Sequence, residues 1–326
     1  MKAFVTGATG FVGGHLVEAL RRGGHDVTAL VRNPARAATL DQPGVTLVRG
    51  DLHSRPALEA ASAGQDVIFH VAGAVAARSE AEYMHANRDG TANLVAAAEA
   101  TASGTEPRIV LVSSGAAGGP TAPGRPATGS EPAHPVTMYG RSKLASEEAV
   151  RRGALPWVIL RPPTIYGPRD RDNLIKVFRM ARLGVAPVFG RGTMEISLVY
   201  APDLADALVA AGTARGALGH TYYVNHPEIL TTSGLVRAIG HAMGRTVRTI
   251  GVPEWAGRGI LHLTGSAAAL AGRATILNAD KANEFFQAGW TGDPAPFTAA
   301  TGWRAAHDIT TGLAATYDWY RAAGWL

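Results

Sequence analysis

The chain has 326 residues, of which 46% are hydrophobic and 17% are charged, and it carries a formal net charge of +5. This length and composition allow a large buried core and about two domains. No apolar run is long enough to span a bilayer and no leader pattern precedes the first strand, so a cytoplasmic location is predicted. The absence of cysteine excludes disulfides and thiolate catalysis, and the histidines lack the spacing of metal ligands, so we expect no metal. The basic residues are dispersed, so we expect no nucleic-acid partner.

Short β-branched segments alternate with longer amphipathic segments through the first half of the chain. Strands separated by helices imply right-handed crossovers and a parallel sheet covered on both faces. The sequence therefore predicts a doubly wound α/β fold of the nucleotide-binding kind. The predicted strands are 3–6, 26–31, 45–49, 66–71, 108–112 and 156–160, and the helices between them are 12–22, 55–61, 80–102 and 139–152.

The alternation weakens after residue 167, where mixed elements indicate a smaller α/β domain that binds substrate. We place a dinucleotide-binding domain at 1–166, with segment 196–225 as a candidate to return to it, and a substrate domain at 167–326. Segment 115–135 is rich in glycine and proline, so it is predicted as a long loop beside the ligand, because ligands bind at the carboxyl ends of parallel strands. The predicted helices of the second part are 173–183, 202–211, 233–243, 253–271 and 309–323.

Three glycines, Gly7, Gly10 and Gly13, stand between the first strand and a helix. In a dinucleotide-binding turn the first glycine permits a tight turn, the second lets the pyrophosphate approach the backbone, and the third lets helix and strand pack closely. The helix N-terminus adds oriented N–H donors for the phosphates. An ordinary tight turn would use the same residues, so the assignment needs support from elsewhere in the chain.

Residues at the ends of the next two strands supply that support. Arg32 directly follows the second strand, where an acidic residue would bind the ribose 2′-hydroxyl of NAD and an arginine suits the 2′-phosphate of NADP. Arg32 at this position favours NADP, with Arg36 as a second contact to the cofactor. The alternative is that Arg32 faces solvent and binds no cofactor. Asp51 follows the third strand, where its carboxylate would either accept the adenine amino group or cap a helix.

The segment YGRSK contains a candidate acid–base pair. Tyr139 and Lys143 are four residues apart at the start of a predicted helix, so their side chains share one face. A nearby ammonium would stabilise the phenolate and bring the pKa of Tyr139 toward the working range, so that Tyr139 exchanges a proton with a substrate hydroxyl. The spacing alone is common in helices. Ser113 and Ser114 end the fifth strand and compete to bind the reacting oxygen, because alternation along a strand allows only one of them.

Together with the segments TGATGFVG, GDL, HVAG, NRDGTANL, VSSG, RPPTIYGPRD and SLVYAPDLADAL, this pair resembles the extended short-chain dehydrogenases/reductases, the NAD(P)-dependent epimerase/dehydratase family. The resemblance runs from residue 1 to at least residue 211. It implies that Ser114, rather than Ser113, is the catalytic serine beside Tyr139 and Lys143. It also implies that Asn87 is more structural than catalytic.

The resemblance further implies a set of cofactor contacts. Lys143 holds the nicotinamide ribose, segment 71–73 lines the cofactor, and segment 161–164 passes beside the nicotinamide. The predicted cofactor-binding residues are Gly7, Thr9, Gly10, Phe11, Val12, Arg32, Asp51, Leu52, Val71, Ala72, Gly73, Lys143, Pro162 and Thr164.

Fold resemblance alone does not decide the reaction, because the family includes nucleotide-sugar epimerases, dehydratases and dehydrogenases of hydrophobic molecules. Sugar dehydratases of the family carry an acidic pair after the active-site serine or threonine, where this chain has Gly115 and Ala116. Nucleotide-sugar enzymes carry an arginine where this chain has Ile196, although Arg191 in the preceding loop could replace it. Both departures argue against chemistry on nucleotide sugars.

The late segment 253–277 is unusually apolar, which indicates either core packing or a hydrophobic surface that contacts substrate, lipid or membrane. With YGRSK and the VRNP turn, it makes the chain resemble the branch of 3β-hydroxysteroid dehydrogenases, dihydroflavonol reductases and hopanoid-associated epimerase-like proteins. We therefore predict interconversion of a secondary alcohol and a ketone on a steroid-, flavonoid- or terpenoid-like molecule, with NADP(H) favoured over NAD(H). Tyr139 is the general acid/base, Lys143 its electrostatic partner and Ser114 the group that orients the reacting oxygen.

Two other functions remain open at this point: a sugar or nucleotide-sugar epimerase that keeps NAD tightly bound, and a scaffold protein that has lost its chemistry. The family commonly dimerises by packing helices equivalent to 80–102 and 139–152 into a four-helix bundle. The segment TANLVAAAEA has the small apolar residues that such packing needs, so a homodimer is predicted. The same residues would also suit a helix that lies on the sheet.

Overall fold

Seven parallel strands form the central sheet of the protein. The structure is a computed structural model that describes residues 1–102 and 106–326, apart from the side chain of Arg36. The doubly wound parallel α/β fold predicted from the sequence is confirmed. The strands are β1 (Lys2–Thr6), β2 (Asp26–Val31), β3 (Val45–Arg49), β4 (Val67–His70), β5 (Arg108–Val112), β6 (Trp157–Arg161) and β10 (Thr221–Tyr223), in the order β3-β2-β1-β4-β5-β6-β10. The order reverses between β1 and β4, which places a ligand crevice at the carboxyl ends of these two strands.

Helices cover both faces of this sheet because its strands are apolar on both sides. In β1, Phe4 faces one core and Val5 faces the other. The helices around the sheet are α1 (Phe11–Arg22), α2 (Arg55–Ser62), α3 (Glu80–Met84), α4 (Gly90–Thr101), α5 (Gly115–Gly118), α6 (Met138–Arg152), α8 (Ala201–Thr213) and α12 (Ala295–Thr301). Leucines of α1 and α8 pack with Val5, whereas Leu58 of α2 and Leu94 of α4 pack with Phe4.

The second part of the chain builds a smaller core of its own. Its strands are β7 (Thr164–Tyr166), β8 (Val185–Phe189), β9 (Glu195–Tyr200), β11 (Ile229–Thr231), β12 (Arg248–Val252) and β13 (Gly289–Trp290), and its helices are α7 (Leu174–Ala181), α9 (Thr232–Ala242), α10 (Glu254–Leu270), α11 (Ala282–Phe285) and α13 (Ile309–Ala322). Strand β9 is the centre of a four-stranded sheet, and β8 pairs with β12. Within the described residues, none of these helices is long and apolar enough to cross a membrane.

Two predicted segments differ from the structure. The predicted helix 80–102 is interrupted by a π-helical turn at His85–Asp89, because the wide turn lets Asn87 bond to the segment after β4. The predicted loop 115–135 begins with helix α5 and then bonds to the second part of the chain, where the Thr121 amide donates to the Gly289 oxygen. The glycines and prolines of this loop gave no indication of these distant partners.

Candidate active site

The loop after β1 is shaped by its glycines. Gly7 has a φ of +73°, and a Cβ placed on it would lie 2.7 Å from the amide nitrogen of Ala72. A Cβ on Gly13 would lie 2.0 Å from the Gly7 carbonyl oxygen. A Cβ on Gly10 would meet one described atom, the Gly7 oxygen at 3.1 Å. The fold therefore requires glycine at 7 and 13, whereas Gly10 keeps one side of the loop open for close approach to the backbone.

The N-terminus of α1 fits an anion. Its cap residue, Gly10, makes no side-chain hydrogen bond, and the first turn of the helix contains no acidic residue. The backbone N–H groups and the positive end of the helix dipole therefore face no competing acceptor of the helix itself. Thr9 and Gly10 are exposed here, and Phe11 and Val12 are half-buried. This cradle suits the pyrophosphate of a dinucleotide.

Direct contacts lead from the glycine loop to helix α6. Segment 71–73 follows β4, and the Ala72 N–H donates to the Thr6 hydroxyl at 3.2 Å. The next residue, Gly73, is exposed, and a Cβ on it would lie 3.5 Å from the Lys143 Nζ. Val71 and Ala72 are half-buried. The predicted cofactor segment therefore lies between the phosphate cradle and the predicted catalytic lysine.

Lys143 is buried and donates from Nζ to the carbonyl oxygen of Val112 at 2.8 Å. Burial disfavours the ammonium form and lowers the pKa of Lys143 to about 8, although the Glu147 carboxylate opposes this effect. Lys143 is thus a cation at neutral pH that loses its charge more readily than a solvent-exposed lysine.

The two competing serines face opposite sides. The Ser114 side chain lies close enough to the Tyr139 phenol to lower the pKa of that phenol, and its hydroxyl accepts the Ala116 N–H at 3.2 Å. The Ser113 hydroxyl points to the other side and donates to Glu147 at 2.5 Å. The structure therefore places Ser114, and not Ser113, beside Tyr139.

The expected lowering of the Tyr139 pKa is wrong for the structure described. Burial is the largest effect and raises the pKa of Tyr139 to about 12, the hydrogen bond with Ser114 opposes it, and the Glu284 carboxylate adds to the rise. The Lys143 ammonium does not offset this burial, because it bonds to a backbone oxygen instead. The phenol is protonated at neutral pH and so suits a proton donor.

The residues predicted to bind the adenosine end are exposed at the ends of β2 and β3. Arg32 directly follows β2 and its side chain is exposed. Asp51 is also exposed, and its Oδ1 accepts the N–H of His53 at 2.9 Å. Ser54 stands at the N-cap of α2, so the alternative that Asp51 caps a helix is wrong. The side chain of Arg36 lies outside the described part of the chain.

The remaining predicted contacts frame the crevice. Leu52 is half-buried against α4, where a Cβ on Gly90 would lie 2.8 Å from the Leu52 Cδ1. Pro162 is buried, and its carbonyl oxygen accepts the Gly115 N–H at 3.0 Å. Thr164 is half-buried at the start of β7. Pro162 thus fixes the turn that follows Ser114.

The resemblance implies that Arg161 lies beside the nicotinamide. In the structure, however, the Arg161 side chain is bonded to helix α6. The Arg161 guanidinium makes two hydrogen bonds to the Glu147 carboxylate, at 2.8 and 2.7 Å, and both side chains are buried. Burial opposes ionisation of Glu147, yet the pKa of this carboxyl stays below its usual value because of Arg161. Glu147 follows Lys143 by one helical turn, and this spacing was the signal that could have found it.

Asn87 connects three parts of the site. Its amide donates to the Ala74 oxygen at 3.1 Å and to the Ser142 hydroxyl at 2.8 Å, and its oxygen accepts the Ala74 N–H at 2.7 Å. These bonds hold the segment after β4 against α6. The geometry is that of a structural residue.

Residues 280–284 bond to the start of helix α6, and the sequence did not predict these contacts. The Met138 N–H donates to Asp280 at 2.9 Å, and the Thr137 hydroxyl donates to Glu284 at 2.9 Å. Thr137 is the N-cap of α6 and bonds to the Gly140 N–H. Tyr139, in the first turn of α6, is therefore positioned from the second part of the chain.

Ile196, which stands in place of the family's diphosphate-binding arginine, is buried in the smaller core rather than in the crevice. Arg191 is exposed on the turn between β8 and β9. Gly115 and Ala116, at the positions of the dehydratase acid pair, are buried in α5. The crevice therefore receives no carboxylate from these two positions.

Comparison with known proteins agrees with this geometry. A family model described as the NAD dependent epimerase/dehydratase family matches residues 3–224. The chain belongs to this family. It is an extended short-chain dehydrogenase/reductase, and the predicted NAD(P)-dependent enzyme acting on CH–OH groups is confirmed.

The sequence relatives include several reductases and a UDP-glucose 4-epimerase, and the solved structures of the same fold include epimerases. The chain is 35% identical to a ceramide reductase of Caulobacter vibrioides over 99% of this chain and 95% of the relative. It is 29% identical to a 3-beta-hydroxysteroid dehydrogenase of Mycolicibacterium neoaurum over 77% of this chain and 72% of the relative. A UDP-glucuronic acid 4-epimerase of Bacillus cereus, solved with NAD, superimposes with a TM-score of 0.80 at 19% identity, covering 99% of this chain and 100% of that one. The structural likeness shows the fold alone.

Proposed function

We propose that the protein is an NADP(H)-dependent reductase that converts a ketone on a hydrophobic molecule to a secondary alcohol, with a lipid of the ceramide class as its first candidate substrate. The observation that carries the proposal is geometric: Tyr139 lies beside Ser114 at the start of α6, and Lys143 of the same helix lies against Gly73, next to the phosphate cradle. A neutral phenol is the form that can donate a proton to a carbonyl oxygen, which is the step that reduction requires.

The residues divide the work of carbonyl reduction. Ser114 donates a hydrogen bond to the carbonyl oxygen and holds it near the phenol, and Tyr139 protonates that oxygen as it gains negative charge. Lys143 stabilises the phenolate that remains. The cofactor, when bound, supplies the hydride for the carbonyl carbon, so that ketone, NADPH and one proton give alcohol and NADP⁺. Tyr139 recovers its proton from solvent before the next turnover.

The preference for NADP rests on Arg32. It follows β2 at the place where the ribose 2′-position is read, and it is exposed, so its guanidinium is accessible to a phosphate. We expect Arg32→Gln to weaken NADP binding at least tenfold while NAD binding changes less than twofold, measured by calorimetry. Arg22→Gln is the matched control, because Arg22 is an exposed arginine at the far end of α1. Equal loss for both cofactors would contradict the assignment.

The hydrophobic substrate class rests on the relatives named above and on Gly115, Ala116 and Ile196. These residues stand where the sugar enzymes of the family carry an acidic pair and a diphosphate-binding arginine. The ceramide reductase covers nearly the whole chain, including the second part that the family model leaves unmatched. Steroid-, flavonoid- and terpenoid-like ketones are the next candidates.

The test is NADPH oxidation in the presence of a ceramide-class ketone in detergent micelles, with the other three classes and UDP-glucose in parallel. The alternative is an epimerase, which would retain NAD after dialysis and show no net turnover of added cofactor. Retained NAD together with conversion of a UDP-sugar would replace the reductase proposal.

A further inference from the structure

Helix α10 exposes its apolar residues. Trp255 is 79% exposed, Ile260 51%, Leu263 70% and Leu270 91%, and these four residues define what we call the apolar face. Gly257 and Leu261 are the buried residues of this 17-residue helix. The alternative that segment 253–277 packs as core is therefore wrong for most of the helix. Monomeric proteins rarely expose so many large apolar side chains together, so we expect the apolar face to bind another molecule or a membrane.

The apolar face is a stripe rather than a scatter. At 100° per residue, the four side chains fall within about 140° of one another around the helix axis, and Leu261 lies on the opposite side. That opposite side packs on the protein, where a Cβ on Gly257 would lie 2.6 Å from the ring of Phe286 and 2.9 Å from that of Phe189. The apolar face thus points away from the protein along the length of the helix.

Acidic residues are scarce in the segments that carry and adjoin α10. Segments 173–194 and 229–279, which we call the basic segments, contain nine Lys and Arg residues and a single acidic residue, Glu254. Glu254 is bonded to Arg258 at 2.8 Å. Since the chain has 31 basic and 26 acidic residues, the remainder holds 22 basic and 25 acidic residues and is net negative. The basic residues are dispersed along the chain, but because acidic residues are scarce here, the net positive charge lies on the two segments that carry and adjoin the apolar face.

The basic segments are joined in space as well as by composition. Strand β12, which leads into α10, pairs with β8 of the other segment, and Arg245 donates to the Arg182 carbonyl oxygen at 2.9 Å. Leu183 beside that contact is 79% exposed, and Ile250 on β12 is 56% exposed. Exposed apolar and basic side chains therefore continue from α10 onto the β8–β12 pair.

We infer that the apolar face and the basic segments form a docking surface for an anionic lipid bilayer. An amphipathic helix with Trp and Leu on one side enters the boundary between headgroups and acyl chains, and nearby Arg and Lys bind anionic headgroups. A second copy of the chain is a poorer occupant, because the same basic segments would meet each other across a symmetric interface. The inference goes beyond the proposed reaction, and binding can be measured without turnover.

The surface is connected to the active site. Helix α10 packs on Phe286, which lies directly after α11, and residues 280–284 of that region bond to the start of α6. Residues 278 and 265 also touch, because a Cβ on Gly265 would lie 3.1 Å from the Asn278 Cβ. A lipid that leaves the bilayer beside α10 would thus arrive at the segment that positions Tyr139.

Vesicle sedimentation of the full chain tests the inference. The vesicles are pure phosphatidylcholine or phosphatidylcholine with one third phosphatidylglycerol, at low and at physiological salt. We expect binding to the anionic vesicles to exceed binding to the neutral ones at least tenfold and to weaken with salt. The triple variant Trp255→Gln, Leu263→Gln, Leu270→Gln should lose at least tenfold in affinity, and so should Arg245→Gln, Arg248→Gln, Arg273→Gln.

The matched control is Arg22→Gln, Arg152→Gln, Arg304→Gln, which removes the same charge from exposed positions outside the basic segments and should bind like the wild type. Wild-type protein that binds neither vesicle, or a charge control that loses as much affinity as the basic-segment variant, would overturn the inference. A dimer in sedimentation velocity that the apolar-face variant abolishes would identify a second copy as the occupant instead. Each of these results leaves the reductase proposal intact.

Discussion

Helices α6 and α10 are similar in length, at 15 and 17 residues, and they depart from the usual distribution of side chains in opposite directions. Helix α6 buries Ser142, Lys143, Ser146 and Glu147, which are polar or charged. Helix α10 exposes Trp255 and three large aliphatic residues. Buried polar groups and exposed apolar groups are the informative exceptions to hydrophobic burial. The comparison teaches that each exception has a cost in stability and that each therefore indicates a function.

The largest expected effect is on α6. Tyr139→Phe removes the proposed proton donor, so we expect the kcat for carbonyl reduction to fall about 10²- to 10⁴-fold while cofactor affinity is unchanged. Tyr83→Phe is the matched control, because its ring lies 6.0 Å from that of Tyr139 and its hydroxyl donates to the Val75 oxygen. Stopped-flow measurement of hydride transfer separates chemistry from product release. Equal rates for the wild type and Tyr139→Phe would remove Tyr139 from the mechanism.

The chemistry on α6 was predictable because it depends on local spacing. Tyr139 and Lys143 are one helical turn apart, and the glycines at 7, 10 and 13 lie in one loop, so a pattern in the sequence becomes a geometry directly. The Arg161–Glu147 pair was missed because its partners lie on different elements. The hold of Asp280 and Glu284 on the start of α6 was missed because more than 140 residues separate the partners.

The apolar pattern of α10 predicted the helix but not its surroundings. The bounds 253–271 are close to those observed, Glu254–Leu270. An apolar helix with small residues is equally consistent with a core and with an exposed face, because composition does not say which neighbours fold against it. The decision depends on Phe189 and Phe286, which occupy one side of the helix and leave the other side uncovered.

The second expected effect distinguishes the two sides of α10 directly. Leu261 is 1% exposed and Leu263 is 70% exposed on the same helix. We expect Leu261→Ala to lower the free energy of unfolding by about 2–5 kcal/mol, because it leaves a cavity. Leu263→Ala should change it by less than about 0.5 kcal/mol. Urea denaturation measures both, and a large loss for Leu263→Ala would show that the apolar face is covered.

A third effect distinguishes the two serines at the end of β5. Ser114→Ala should lower kcat on the order of 10²-fold, because the reacting oxygen loses a hydrogen-bond donor. Ser113→Ala should leave kcat within about twofold and destabilise the fold by about 1.5–3 kcal/mol, because the buried Glu147 carboxylate loses a donor. Steady-state kinetics and urea denaturation of both variants give the comparison. A fall in kcat for Ser113→Ala equal to that of Ser114→Ala would reject the assignment of faces.

The smallest expected effect is a pH dependence that originates in the buried charge of α6. Burial lowers the pKa of Lys143 to about 8 and raises that of Tyr139 to about 12. The phenol therefore keeps its proton through the working range, whereas Lys143 loses its positive charge as pH rises through about 8. We expect kcat/KM for reduction to be flat from pH 6 to 7.5 and to fall by up to about tenfold between pH 8 and 9, because the neutral amine no longer stabilises the phenolate. The Lys143→Met variant should be slower and flat over the same range, since it has no charge to lose at this position. An unchanged fall in Lys143→Met would assign the titration to another group.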